Sequence, residues 1–149
     1  MSTVEETIKI NVPVQRVWDT VMDPSRFVDW VTIHRSVKSI SPRPFAPGST
    51  MDQVLSLRGV NFTVHWTLAE VNPPKTASWE GKGPAHSRAL IRYELAAEGD
   101  DATTFSYTNE FHPPGGPLGS VASRVFVGDL SEREAHRSLV RLKDLLESH

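Results

Sequence analysis

The chain changes its hydrophobic period twice. Residues 4 to 10 place Val4, Ile8 and Ile10 among polar neighbours, which predicts a first strand. Asn11-Val12-Pro13 interrupts it, and Pro13 suits the first position of a helix, where its missing N–H would have no intrahelical partner. Val14, Val17, Trp18 and Val21 then follow at the spacing of a short amphipathic helix. Asp23-Pro24-Ser25 stops that helix and starts a second, over 24 to 30, with Phe27, Val28 and Trp30 as its buried side. From 37 to 112 the period is two. Met51, Gln53, Leu55 and Leu57 share one face, and so do Phe62, Val64, Trp66 and Leu68. Arg58-Gly59 reads as the turn between them and Asn72-Pro73-Pro74 as the next corner, before a short strand over 76 to 81 that carries Trp79. Ala89, Ile91, Tyr93 and Leu95 alternate, as do Phe105, Tyr107, Asn109 and Phe111. The expectation is a hairpin meander of one antiparallel sheet.

Three prolines and two glycines over 113 to 117 end the sheet, since proline donates nothing to a strand ladder. Residues 118 to 147 carry acids, bases and leucines at helical spacing, a predicted helix long enough at about 1.5 Å per residue to cross the concave side of the sheet. Its stripe runs Val121, Val125, Gly128, Glu132, Ala135, Leu139, Leu142, Leu146. Bulk disappears in the middle, at Gly128, Glu132 and Ala135. Against a filled core Glu132 would be a buried charge at a penalty of several kcal/mol unless paired. Either the middle of the helix faces a cavity, or the phase is off by one residue and Glu132 points to solvent with Asp129, Arg133 and His136.

Composition narrows the field. The 149 residues fit a single domain over 1–149, and 16 basic against 18 acidic residues, interspersed, give a net charge of −2 with no basic stripe for nucleic acid. No apolar run approaches a membrane span, and the N-terminus lacks a basic start and an apolar segment, so the expectation is a cytoplasmic protein without integral membrane segments. Without cysteine, disulfides, thiolate metal sites and cysteine nucleophiles are excluded. The histidines make no H-x-x-x-H or H-E-x-x-H spacing, and no P-loop, G-x-S-x-G or dinucleotide fingerprint occurs, so no metal or cofactor is expected.

The segment VPVQRVWDTVMDPSRFVDW (12 to 30), the corner EVNPPKTASWEG (70 to 81) and the leucine-rich final helix together resemble the SRPBCC superfamily. Its helix-grip fold is shared by START domains, the birch-pollen allergen and polyketide cyclase/dehydrase-like proteins. Val12 stands where the pattern has alanine, and Trp30, Thr32, Ile33 and His34 look like a variant of small actinobacterial members. The resemblance implies an α+β chain: a curved antiparallel sheet of about seven strands, two short helices after the first strand, and a long C-terminal helix gripped by the sheet. It also implies a cavity between sheet and helix.

Alternation names the lining. Met51, Leu55, Phe62, Val64, Trp66, Trp79, Ile91, Phe105 and Phe111 are its apolar set; Gln53, Tyr93, Tyr107 and Asn109 are polar exceptions. Val125, Gly128 and Glu132 complete it from the helix. The resemblance puts Trp30 and His34 at the rim, where His34 either orients a ligand and moves a proton or caps a nearby carbonyl. The expected partner is a small hydrophobic or aromatic molecule, lipid- or polyketide-like. A cyclase, aromatase or dehydratase using His34, Glu132 or Tyr107 to shuttle protons is the second reading. An interaction module with a vestigial pocket is the third, as a monomer or a homodimer.

Overall fold

The computed structural model describes residues 2–57, 59–112 and 129–148. Strand β1 (Ser2–Ile10) leads into helix α1 (Val14–Val21), a 3-10 turn (Pro24–Arg26) and helix α2 (Phe27–Trp30). Strands β2 (His34–Lys38), β3 (Thr50–Leu57), β4 (Val60–Asn72), β5 (Thr76–Lys82), β6 (Arg88–Ala97) and β7 (Thr103–His112) follow, then helix α3 (Asp129–Glu147). The seven strands form one antiparallel sheet in the order β1-β7-β6-β5-β4-β3-β2. Only the β1–β7 pairing joins elements far apart in sequence; every other ladder is a hairpin between consecutive strands. This is the helix-grip α+β fold.

Local chemistry explains the boundaries. Pro13 is the N-cap of α1 in an extended conformation, one residue before the position its sequence suggests. Asp23 starts the next segment by accepting hydrogen bonds from the Ser25 N–H and hydroxyl at 3.0 and 2.7 Å. In α2, Phe27 and Trp30 are buried, but Val28, expected on the buried side, is 60% exposed: a single turn of helix presents too narrow a face to bury three residues of four. Gly59 sits at φ +80°, the left-handed conformation that a tight β3–β4 turn requires of it.

Alternation in the sequence shows as alternating burial most plainly in the middle of the sheet. Along β3 burial alternates strictly, with Met51, Gln53, Leu55 and Leu57 inside. Trp30 anchors the core beneath α2, at ring distances of 6.4 Å from Phe27, 6.4 Å from Tyr93 and 6.5 Å from Phe105. The Phe27 and Phe105 contacts are edge-on and the Tyr93 contact tilted, and aromatic pairs of this kind contribute roughly 0.5–1.5 kcal/mol each beyond their buried area. Helix α3 buries Leu139, Leu142 and Leu146. Its C-terminal end is tied to the first strand's exit, where Glu147 accepts from the Asn11 N–H at 2.8 Å and Lys143 donates to the Lys9 carbonyl at 2.8 Å.

Candidate functional site: an apolar cavity between sheet and helix

A cavity of about 160 Å³ lies between strands β3 to β7, helix α2 with the turn after it, and helix α3. An engineered apolar cavity of roughly 150 Å³ is large enough to bind benzene, so the space is that of about one ring. The strands supply Met51, Leu55, Phe62, Val64, Trp66, Trp79, Ile91 and Phe111, eight of the nine apolar residues expected from alternation. Phe105, the ninth, is fully buried one layer deeper, against Trp30 and Tyr93. All four polar exceptions, Gln53, Tyr93, Tyr107 and Asn109, also line the cavity, as does Trp30.

Helix α3 turns a different face inward from the one its stripe suggests. Glu132 is exposed and does not line the cavity; the acidic residue that does is Glu134, followed by Ala135, Ser138 and Leu139. Ala135, Leu139, Leu142 and Leu146 keep the expected phase, whereas the step from Ala135 back to Glu132 swings the side chain off the cavity. The stripe of the sequence runs through Glu132 and leaves Glu134 out; the fixed point is Thr32, whose hydroxyl is hydrogen-bonded to the Glu134 carboxylate. Val125 and Gly128 lie outside the described residues.

Thr32, given no role by its place in the sequence, joins the turn after α2 to α3. Its N–H donates to the Ser138 hydroxyl oxygen at 3.1 Å, and its own hydroxyl oxygen lies 3.3 Å from that of Ser138. Because the Thr32 proton points to Glu134, the Ser138 proton is the one that bridges the two hydroxyls. The chain Ser138 to Thr32 to Glu134 thus pins the turn after α2 to α3. The other Glu134 oxygen faces Arg137 at 3.5 Å, a well-exposed partner, while the Glu134 side chain itself is 18% exposed.

His34 stands behind the wall. It opens β2, is half-buried, packs edge-on against Phe27 at 5.7 Å, and does not line the cavity. Its Nδ1 lies 2.9 Å from Gln53 Nε2, and Gln53 Oε1 accepts from Trp66 Nε1 at 3.0 Å. An indole N–H only donates, which orients the Gln53 amide: its oxygen faces Trp66 and its NH₂ faces His34. His34 Nδ1 therefore accepts, and the ring is neutral with its proton on Nε2. Burial pushes the His34 pKa below its ordinary value in the same direction. His34 thus orients the lining residue Gln53 by holding its amide.

On the opposite wall, Asn109 Nδ2 donates to the Tyr107 hydroxyl at 3.2 Å. Burial pushes the Tyr107 pKa up to about 12, the Asn109 bond opposing it, and burial raises Tyr93 further still. Both phenols are therefore protonated at any ordinary pH and act as hydrogen-bond groups, not bases. Two buried polar atoms on lining residues, Asn109 Oδ1 and Trp30 Nε1, have no partner among the described residues. The outward histidine His65 is bonded to Asp52 and belongs to the exterior of the sheet. Among the described residues no group of three potential ligands could hold a metal ion, and no helix is long and apolar enough to cross a membrane.

The fold and this site define a helix-grip protein with a largely apolar cavity between its sheet and its C-terminal helix. Residues 1–147 match the model of the polyketide cyclase/dehydrase and lipid transport family, and the chain belongs to that family. It is 21% identical over 134 residues to the Mycobacterium tuberculosis protein named Toxin Rv0910, covering 89% of this chain and 92% of that one. Its fold is similar to that of the Zhui aromatase/cyclase from Streptomyces sp. R1128, with a TM-score of 0.76, 15% identity, and coverage of 97% and 93% of the two chains. A START superfamily protein from Mycobacterium smegmatis is similar as well, with a TM-score of 0.72, 13% identity, and coverage of 99% and 96%.

Proposed function

We propose that the protein binds a small, ring-containing hydrophobic molecule in the cavity between its sheet and α3. The observation that carries this reading is the cavity itself: about 160 Å³ walled by Trp30, Trp66, Trp79, Phe62 and Phe111, with a handful of oriented polar groups. An apolar enclosure with few polar groups is what such a ligand requires. Family membership and the lipid-transport description of that family support the same reading. Gln53 is held between His34 and Trp66, so the site presents preset hydrogen-bond geometry at small entropic expense on binding.

The test is ligand-dependent thermal unfolding with a graded panel, from ethylbenzene through naphthalene to three-ring aromatics and long-chain fatty acids. A ligand that binds only the folded state raises the midpoint, by about 2.7 kcal/mol of stability at a hundredfold excess over its dissociation constant. One- and two-ring compounds are expected to raise it. Ala135→Phe, which places a ring in the cavity from α3, is expected to abolish the rise while leaving the protein folded. No rise with any compound would end the reading, and so would a rise that Ala135→Phe leaves intact.

A further inference from the structure

A glycine in the interior of a strand weakens it and calls for a reason. Gly81, on β5, is buried and has no left-handed φ, so its backbone does not require glycine. The reason lies on the neighbouring strand. Gly81 is the register partner of Trp66 on β4, and a Cβ on it would lie 2.6 Å from Trp66 Cζ3, 2.8 Å from Trp66 Cε3 and 2.7 Å from Val64 Cγ1. The bare backbone is thus the seat of the indole, which covers it: Trp66 lines the cavity and Gly81 does not. The opposite edge of the same indole carries its N–H, which donates to Gln53 Oε1 on β3 at 3.0 Å, and Gln53 is held in turn by His34 at 2.9 Å. Trp66 therefore spans three strands with both edges braced.

Building on the proposed binding function, we propose that Gly81 sets the size of ring compound that the cavity admits, by seating the Trp66 indole on β5 instead of in the space a ligand uses. A side chain at 81 pushes the indole from its Cε3–Cζ3 edge. Gln53 blocks retreat toward β3, and β4 carries the ring from below, so the direction left open is away from the sheet and into the cavity. Val64, part of the same wall, is pushed by the same methyl group. In a space of about 160 Å³ such a displacement falls hardest on the larger of two ligands. Gly81 touches no ligand; it is a positioning residue that acts through Trp66.

The test is a calorimetric titration of the folded protein with benzene, ethylbenzene, naphthalene and biphenyl. Gly81→Ala is expected to weaken naphthalene by about tenfold or more, the order that an extra methyl group costs in a packed core, and benzene by less than about threefold. Trp66→Phe, which withdraws the edge that rests on Gly81, is expected to bind biphenyl more tightly than the wild type does. In the double variant the new methyl group meets no indole, and naphthalene binding is expected to return to within about twofold of Trp66→Phe alone, the non-additivity of residues in contact. A protein that is merely less stable lowers its unfolding midpoint without changing the order of its ligands. Equal weakening of benzene and naphthalene in Gly81→Ala overturns the inference, as does unchanged binding of both, or a double variant that keeps the defect. If Gly81→Ala does not fold, Trp66→Phe decides alone, and no gain for biphenyl overturns the inference. Each of these results leaves the binding function standing, because the wild type still binds benzene or naphthalene; a wild type that binds none of the four compounds removes both.

Discussion

At the scale of single residues the decisive contacts are few. Gln53 is 6% exposed, with its amide clamped between a donor-only indole and a neutral imidazole. Gln53→Leu leaves the buried Trp66 N–H without its acceptor, and a loss of about 1–3 kcal/mol in urea unfolding is expected. His34 gives the pH dependence its sign. The unfolded chain takes up the His34 proton near 6.5, whereas the folded chain, where burial disfavours the cation, takes it up only at lower pH. Between those two values the unfolded state holds more protons, so stability rises with pH. The His34 contribution is complete above about 6.5 and is lost as pH falls through the folded value. Urea midpoints at pH 7.5 and pH 5 should therefore fall further in the wild type than in His34→Gln, which does not titrate. An equal fall in both proteins would show that other groups carry the acid sensitivity.

At the scale of elements, two close contacts lie beside the cavity. The first is the turn after α2, where Thr32 reaches Glu134 and Ser138 on α3. Thr32→Val keeps the volume and removes the hydroxyl. A loss of about 1–3 kcal/mol is expected, with protection of α3 amides from hydrogen exchange reduced more than that of β5 and β6. The second is on β5. A Cβ on Gly81 would come within 2.6 Å of the Trp66 ring and 2.7 Å of Val64, both of which line the cavity. Gly81→Ala is expected to cost about 1–3 kcal/mol and to shift tryptophan fluorescence, because the ring that must yield is the one bonded to Gln53. Unchanged fluorescence would mean that the strand moves instead. The strands and their inward faces were legible beforehand because a half-buried strand repeats every two residues without ambiguity. The α2 segment and α3 were less so: four residues of α2 give no full period, and on α3 the stripe drawn at steps of three and four passes through Glu132 and misses Glu134, because local spacing does not fix the rotation of the helix.

At the scale of the whole molecule, β1 joins the edge of the sheet through the β1–β7 ladder, the only pairing among the described strands that spans the sequence. Leu139, Leu142 and Leu146 are buried along the C-terminal half of the helix, and the cavity lies where the helix changes to Ala135 and Glu134. Leu142, fully buried, belongs to the filled part: Leu142→Ala is expected to destabilise by about 2–5 kcal/mol. Ala135→Leu faces the empty part instead and is expected to leave stability unchanged or raised. The two substitutions lie seven residues apart on one helix, so opposite signs in denaturant unfolding would map the boundary between core and cavity. Two losses of equal size would erase it.

Hydrophobic periodicity by itself determined most of the elements, though not β2, and the faces of the strands that line the cavity, because alternation assigns each strand residue to one side of a sheet whatever the sheet then packs against. Composition excluded thiol chemistry, since that depends on residue types being present at all. Tertiary structure alone decided which carboxylate meets the cavity, why His34 supports the wall without lining it, and what Thr32 does. Each of those depends on the rotation of one element against another, and rotation is set by contacts between residues about a hundred positions apart, Thr32 with Glu134 and Ser138, which local spacing does not encode.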